Sequence, residues 1–411
     1  FGGPLRVLSE GNYEWEFSTP IPQLSTSVPI DGAEDVDASL NTITAAFSSP
    51  VDLETLLKPE SVQLLAGGTS VDVVGLEFNQ ETRVLRFEAE DGLKPGTNYV
   101  VRIAAEIGGV QRVGDYMWQF KTPVPELVST MPNNGDLEVT TNQDQIEAIF
   151  DHAIASGALA ETDNIQLLAS GVPVELSGLI YDGDNQTLRF EPVGGLRAGT
   201  SYEVRISSEV GGPRRTSDYT WKFGTPVPDL HSTEPRNGDM EAQIATDAIV
   251  AVFDHGVNAD VLFQSGNVRL LAAGDPVSLE GVDYNRDTRT LRFSPSGGLR
   301  AGTPYEVRIV AGVGGPQRLS GYSWEFSTAV PLLVASEPNA NAVDVSPSIR
   351  EFSANFSAAV DEEKLTSENF RISRQGVELT LRPGDPVHRG KNSYAFAPAE
   401  GWMVGSRYSV N

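Results

Sequence analysis

The chain carries 411 residues, 39% of them hydrophobic and 21% charged, with no cysteine. That balance is too apolar for a disordered polymer and leaves no disulfide framework, so the fold must be held by core packing. The net charge of −26 at pH 7 lacks the basic stripe of a nucleic-acid binder and is repelled by an anionic bilayer; no apolar run approaches the roughly 20 residues that span a membrane.

In chain order the first feature is a stub, Phe1–Thr19, bearing Trp15 in the run YEWEF. The same aromatic returns as Trp118, Trp221 and Trp324, each 103 residues further on. Phe47, Phe150, Phe253 and Phe356 keep that step, as do Tyr99, Tyr202, Tyr305 and Tyr408, and Pro29, Pro132, Pro235 and Pro338. Four residue types sharing one period define a tandem array, and a repeat this long is a whole domain able to bury its own core. The reading is a closing strand of a preceding copy at 1–22, complete repeats at 23–125, 126–228 and 229–331, and a copy at 332–411 that lacks its last strand. With no initiating Met and no signal peptide, the chain is expected to be a window on something longer.

Within the first repeat, short runs follow one another: LSTSV at 24–28, TITAAF at 42–47, VQLLA at 62–66, VDVVGLEF at 71–78, VLRFEA at 84–89, YVVRIA at 99–104 and YMWQF at 116–120. They are rich in β-branched and aromatic types, several alternate apolar with polar, and Gly, Pro, Asn and Asp punctuate them. Seven strands in about 100 residues predict an all-β antiparallel sandwich, with a helical turn at Leu53–Leu57 and no parallel sheet. Before the sixth strand stand LKPGTNY (93–99), LRAGTSY (196–202) and LRAGTPY (299–305). This pattern fits a tyrosine corner, in which the phenol bonds back to backbone a few residues upstream. The fourth copy reads WMVGSRY at 402–408. Alternation places Tyr116, Trp118 and Phe120 on one face, expected to be the core. Repeats join through TPIP (19–22), TPVP (122–125), TPVP (225–228) and TAVP (328–331). Paired prolines favour extended backbone, so the junctions are expected to be short and semi-rigid and the array an extended rod, bending more at TAVP.

At these residues the repeat resembles a known family. The P-x-x-G turn (PIDG at 29–32, PNNG at 132–135, PRNG at 235–238), the I-x-A-x-F strand, the L-x-x-G-T-x-Y corner and the closing Y-x-W-x-F are similar to the bacterial immunoglobulin-like domain of the S-layer-protein type. The resemblance implies tandem immunoglobulin-like β-sandwiches of about seven strands each in an extended rod. Such modules occur in surface-layer proteins, adhesins and large secreted proteins. Lack of an inter-sheet disulfide agrees with a prokaryotic extracellular or cell-surface setting.

Chemistry is sparse. No GxSxG, HExxH or Gly-rich phosphate loop occurs, so no catalytic residue and no enzyme are expected. His152 and His255 are equivalent, each in FDH, and read as polar turn residues. Acidic turns offer calcium candidates at Asp31, Asp35, Asp182, Asp184, Asp283 and Asp287, because hard Ca²⁺ takes 6–8 oxygens from such loops; simple solvated turns explain them as well. The leading expectation is a structural spacer, stalk or filament segment, since a repeat of constant length without insertions suits uniform geometry. Alternatives are an adhesin that binds glycan or protein, and the accessory region of a secreted hydrolase. The expected partners are neighbouring copies of the chain or its own continuation. Residues 5–17 are expected to pair in a sandwich contributed mostly by residues outside this copy of the chain, by chain continuation or by head-to-tail strand exchange.

Overall fold

The computed structural model describes residues 15–161, 163–244, 248–361, 364–366, 369–390 and 392–411. The first repeat contains β1 (Leu24–Val28), β2 (Ile43–Phe47), α1 (Leu53–Leu56), β3 (Val62–Ala66), β4 (Thr69–Val71), β5 (Val73–Asn79), β6 (Val84–Ala89), β7 (Asn98–Ile103) and β8 (Tyr116–Lys121). Two four-stranded sheets form, in the orders β1-β2-β6-β5 and β4-β3-β7-β8. Strand alternation explains the layer between them. Ile43, Ala45 and Phe47 of β2 face Tyr116, Trp118 and Phe120 of β8 across one core, all under 5% exposed. The period then copies this core, with Trp221 and Trp324 each 2% exposed in their own clusters. Fold class and core placement therefore agree with the reading of the sequence.

Two expectations are corrected. The run at 71–78 is not one strand: it breaks at Asp72 into β4, which pairs with β3, and β5, which pairs with β6. The chain crosses between sheets there, and the Asp72 carbonyl accepts from Glu90 N–H at 2.9 Å. Alternation runs unbroken through a change of sheet, so the pattern hides it. Parallel pairing also occurs. In the third repeat Asp239–Ala242 runs parallel to Tyr322–Thr328, and Ala33 bridges Phe120 in the same sense in the first. The pairing reaches furthest where Ala329 replaces the linker proline: its N–H donates to the Ala242 carbonyl at 3.2 Å, a bond that proline cannot make. The turn at Leu53–Leu56 forms as expected, capped by Asp52 Oδ1, which accepts from Glu54 and Thr55 N–H.

The residues from 332 onward form a thinner sandwich. Leu333–Glu337, Phe352–Phe356, Ser393–Phe396 and Val387–His388 make one sheet. The facing sheet has three strands, in the order Val377–Leu379, Ile372–Arg374, Tyr408–Val410. Of the 5–17 segment, residues 5–14 lie outside the described residues; Trp15 and Phe17 are in no strand, 77% and 84% exposed.

Candidate functional site at the inter-repeat junction

The corner before β7 forms as expected in every copy. Tyr99 Oη accepts from Lys94 N–H at 2.7 Å, Tyr202 from Arg197 at 2.6 Å, Tyr305 from Arg300 at 2.7 Å and Tyr408 from Met403 at 2.6 Å. Each bond satisfies the one polar atom of a buried or half-buried ring. A threonine that recurs every 103 residues at the close of the last strand ties into this corner: Thr122 Oγ1 accepts from Thr97 N–H at 2.9 Å and donates to the Lys94 carbonyl at 2.6 Å. Thr225 and Thr328 repeat both bonds.

The linker that follows is bonded at each step. The Pro123 carbonyl accepts from Gly96 N–H at 2.7 Å, the Pro125 carbonyl from Tyr219 Oη–H at 2.7 Å, and Glu126 N–H donates to Asp151 Oδ1 at 2.7 Å. The next linker has the same three ties: Pro226 with Gly199 at 2.9 Å, Pro228 with Tyr322 at 2.8 Å, and Asp229 with Asp254 at 2.6 Å. Arg215 and Arg318 lie with their guanidinium carbon 3.6 Å above the Tyr219 and Tyr322 rings. Both also reach the linker, Arg215 through Glu126 at 2.9 Å and Arg318 through Asp229 at 2.8 Å. Burial pushes the Tyr219 hydroxyl up to about 12, with Arg215 opposing, and raises Tyr322 in the same way. These arginines were not singled out from the sequence, although Arg112, Arg215 and Arg318 keep the period of 103.

At the junctions between the first and second and between the second and third repeats, the neighbours touch main chain to main chain. The corner of one repeat meets the loop before the closing strand of the next. Gly96 has φ +54 and its missing side chain leaves room for the Gly211 carbonyl; a Cβ there would sit 2.3 Å from that oxygen. Gly212 has φ +82, and a Cβ on it would sit 1.9 Å from the Pro95 carbonyl oxygen. The second junction has the same geometry, with Gly199 against Gly314 at 2.3 Å and Gly315 against Ala198 at 1.8 Å. Hydrogen bonds close each contact. Arg214 N–H donates to the Gly96 carbonyl at 3.0 Å and Arg214 Nη1 to the Thr122 carbonyl at 3.0 Å. At the second junction Gln317 N–H donates to the Gly199 carbonyl at 3.2 Å, Gln317 Nε2 to Ser201 Oγ at 2.9 Å, and Ala198 N–H to Asn258 Oδ1 at 2.8 Å. On the flank, His152 Nε2 lies 3.5 Å from Asp35 Oδ1, and His255 Nε2 lies 3.7 Å from Glu138 Oε2. The FDH histidines thus stand in turns, as expected, but each faces a carboxylate of the preceding repeat.

The acidic turns do not converge. Asp31 Oδ1 accepts from Gln119 N–H at 3.0 Å, a role that Asn134 and Asn237 take in the next repeats. Asp35 faces His152. Asp182 caps its hairpin, accepting from Asp184 and Asn185 N–H and from Asn185 Nδ2, and the Asn185 bonds hold its carboxyl below the ordinary range. Asp184, Asp283 and Asp287 are exposed. Among the described residues no three His, Asp or Glu side chains are grouped to hold a metal ion, and no helix is long and apolar enough to cross a membrane.

Solved structures of other multidomain proteins resemble the chain. Crystalline S-layer protein rSbsC(31-844) is 12% identical, with 95% of this chain and 52% of that one covered and a TM-score of 0.21. Domains 1-6 of surface layer protein SbsC give 11%, 95%, 66% and 0.19. Extracellular domains 3-5 of Drosophila OTK give 10%, 76%, 98% and 0.20. The chain thus spans about half the length of rSbsC(31-844), and scores this low carry no argument about function. No curated protein matches the chain. The sequence model of the bacterial Ig-like domain matches residues 11–122, 123–225 and 226–328. With three consecutive matches covering most of its length, the chain belongs to the bacterial Ig-like domain family.

Proposed function

We propose that the chain is a structural spacer, a stalk or filament segment of a prokaryotic cell-surface or secreted protein. In this reading it holds other domains at a distance and carries no reaction of its own. The division into repeats at 23–125, 126–228, 229–331 and 332–411, with neighbouring copies or chain continuation as partners, belongs to the same reading. The observation that carries it is the junction. Main-chain contacts through Gly96 and Gly212 recur at Gly199 and Gly315, and the linkers at 122–125 and 225–228 are each bonded on both sides of their valine. A binding protein gains little from stiff joints, whereas a spacer depends on them, because a fixed angle at every joint converts domain count into length.

Small-angle X-ray scattering of the full chain tests the reading. A compact globule of 411 residues has a radius of gyration of about 22 Å. A stiff array is expected to give about twice that value, with little change between low and high salt. A radius near the compact figure would refute the spacer.

A further inference from the structure

In two repeats a chemically labile dipeptide carries a structural duty. The closing strands Tyr116–Lys121 and Tyr219–Gly224 are the outer strands of their sheets, where main-chain groups would stand unpaired. The turn after Pro29, Pro132 or Pro235 covers that edge. In the second repeat Asn134 Oδ1 accepts from Lys222 N–H at 3.0 Å, and Gly135 N–H donates to the Lys222 carbonyl at 2.7 Å. Gly224 N–H then donates to the Asp136 carbonyl at 2.7 Å. The third repeat sets Asn237 and Gly238 on Glu325 at 3.0 and 2.7 Å, and the first sets Asp31 and Gly32 on Gln119 at the same two distances. The first residue of each pair must offer a side-chain oxygen. The second has φ +77 at Gly32, +86 at Gly135 and +80 at Gly238, and nothing lies within 4 Å of the place a Cβ would take. Glycine therefore stands there for its backbone conformation and not for space. Asn-Gly and Asp-Gly both meet these demands, and the chain uses both.

Asparagine is a thermolabile residue, and a following glycine leaves its side-chain carbonyl carbon open to attack, because no side chain stands in the way. We propose that Asn134 and Asn237 are modification sites that deamidate without an enzyme, and that the edge-covering turn controls when they do. The Gly135 nitrogen gives up its proton and attacks Asn134 Cγ. A C–N bond forms, the Cγ–Nδ2 bond breaks, and ammonia leaves with a proton. Water then opens the resulting succinimide at either carbonyl, leaving aspartate or isoaspartate. While the turn is seated, the Lys222 carbonyl holds Gly135 N–H and Lys222 N–H holds Asn134 Oδ1, so neither reacting group is free to turn to the other. The reaction waits for the turn to lift off the strand. The two products then have opposite consequences. Aspartate restores the arrangement already present at Asp31, with a carboxylate oxygen accepting the same bond, and adds a negative charge. Isoaspartate routes the main chain through Cγ, which lengthens the turn by one backbone atom, displaces Gly135 from Lys222 and leaves the strand edge uncovered. This chemistry is independent of the spacer reading.

Peptide mapping by mass spectrometry tests the proposal on the 411-residue chain, incubated at mildly alkaline pH with and without denaturant, because it separates the asparagine, aspartate and isoaspartate forms of each site. Both sites are expected to convert at least about tenfold more slowly in the folded chain, since the turn must first release two hydrogen bonds. Asn134→Asp should leave the melting midpoint of the second repeat in place. Asn134→Ala should lower it by roughly 4–8 °C through loss of one hydrogen bond. Equal rates with and without denaturant, no conversion in denaturant, or an Asp variant that melts as low as the Ala variant would each overturn the proposal.

Discussion

Substituting Gly212 by Ala, with Gly109→Ala as its control, isolates the energy of the junction. The two glycines are equivalent, with φ +82 and +84, in a backbone region that costs other residues roughly 1–3 kcal/mol. Both variants carry that strain. Only at Gly212 does the new Cβ meet another repeat, 1.9 Å from the Pro95 carbonyl oxygen; at Gly109 nothing lies within 4 Å. A backbone carbonyl cannot swing aside, so the corner must withdraw by more than an ångström. Arg214 then loses its bonds to the Gly96 and Thr122 carbonyls, worth about 0.5–1.5 kcal/mol for the neutral one and about 1.5–3 for the charged one. The excess over the control is therefore about 2–4 kcal/mol. For a domain near 100 residues, 1 kcal/mol moves the melting midpoint by about 4–8 °C. Calorimetry is expected to show the first two repeats melting at least ~8 °C lower in Gly212→Ala than in Gly109→Ala, and scattering should show a more flexible chain. Equal midpoints and equal scattering would refute the idea that the glycine contact couples the repeats.

Trp221→Ala should cost about 3–5 kcal/mol and remove one melting transition while the other repeats persist. Trp221→Phe should cost much less, because the buried indole Nε1 has no hydrogen-bond partner to lose; circular dichroism during thermal melts checks both. Alkali should destabilise the junctions. Tyr219 titrates at about 12 when folded, against an ordinary 10.0, so its contribution is full below pH 10 and is lost as the pH rises towards 12. Phenolate absorbance followed alongside ellipticity should show the two changing together, and Tyr219→Phe should blunt the loss. Chelator should leave the melting midpoint in place, since Asp31 and Asp182 bond to backbone in their own repeat. A fall reversed by Ca²⁺ would show that the acidic turns gather into a site on binding.

Much of the fold was legible because tandem copying turns structure into arithmetic. Trp118, Trp221 and Trp324, which return at one interval, occupy one buried environment, and alternation around them identified the buried face. The Tyr corner was equally clear, since its bond spans only five residues. Three features escaped for different physical reasons. The break at Asp72 preserves alternation while changing sheets. The short parallel strand at Asp239–Ala242 pairs with a strand more than 80 residues away, and its polar run DMEA carries no strand pattern. The glycine contact between repeats was visible only as a Gly pair ending a loop. Positive φ accounts for such a pair locally, and nothing in the local pattern says that a neighbouring carbonyl fills the space. Of the acidic turn residues, Asp31 and Asp182 accept from backbone N–H in their own repeats, a local role that composition does not reveal.

The junction also bears on how such an array can change over time. The second repeat carries both halves of the joint, a corner at 196–200 and a docking loop at Gly211–Arg214, and the corners at 196–200 and 299–303 are identical, LRAGT. A duplicated or deleted unit of 103 residues therefore brings matching halves to every new joint, with no compensating substitution required. Because the glycine contact is made by backbone atoms and only a few side chains, such as Arg214, Gln317 and Asn258, bond across it, the remaining outer side chains are free to drift without loosening it. Length becomes a quantity that recombination between copies can reset in one event, while charge, and whatever the surface comes to recognise, varies on an independent schedule.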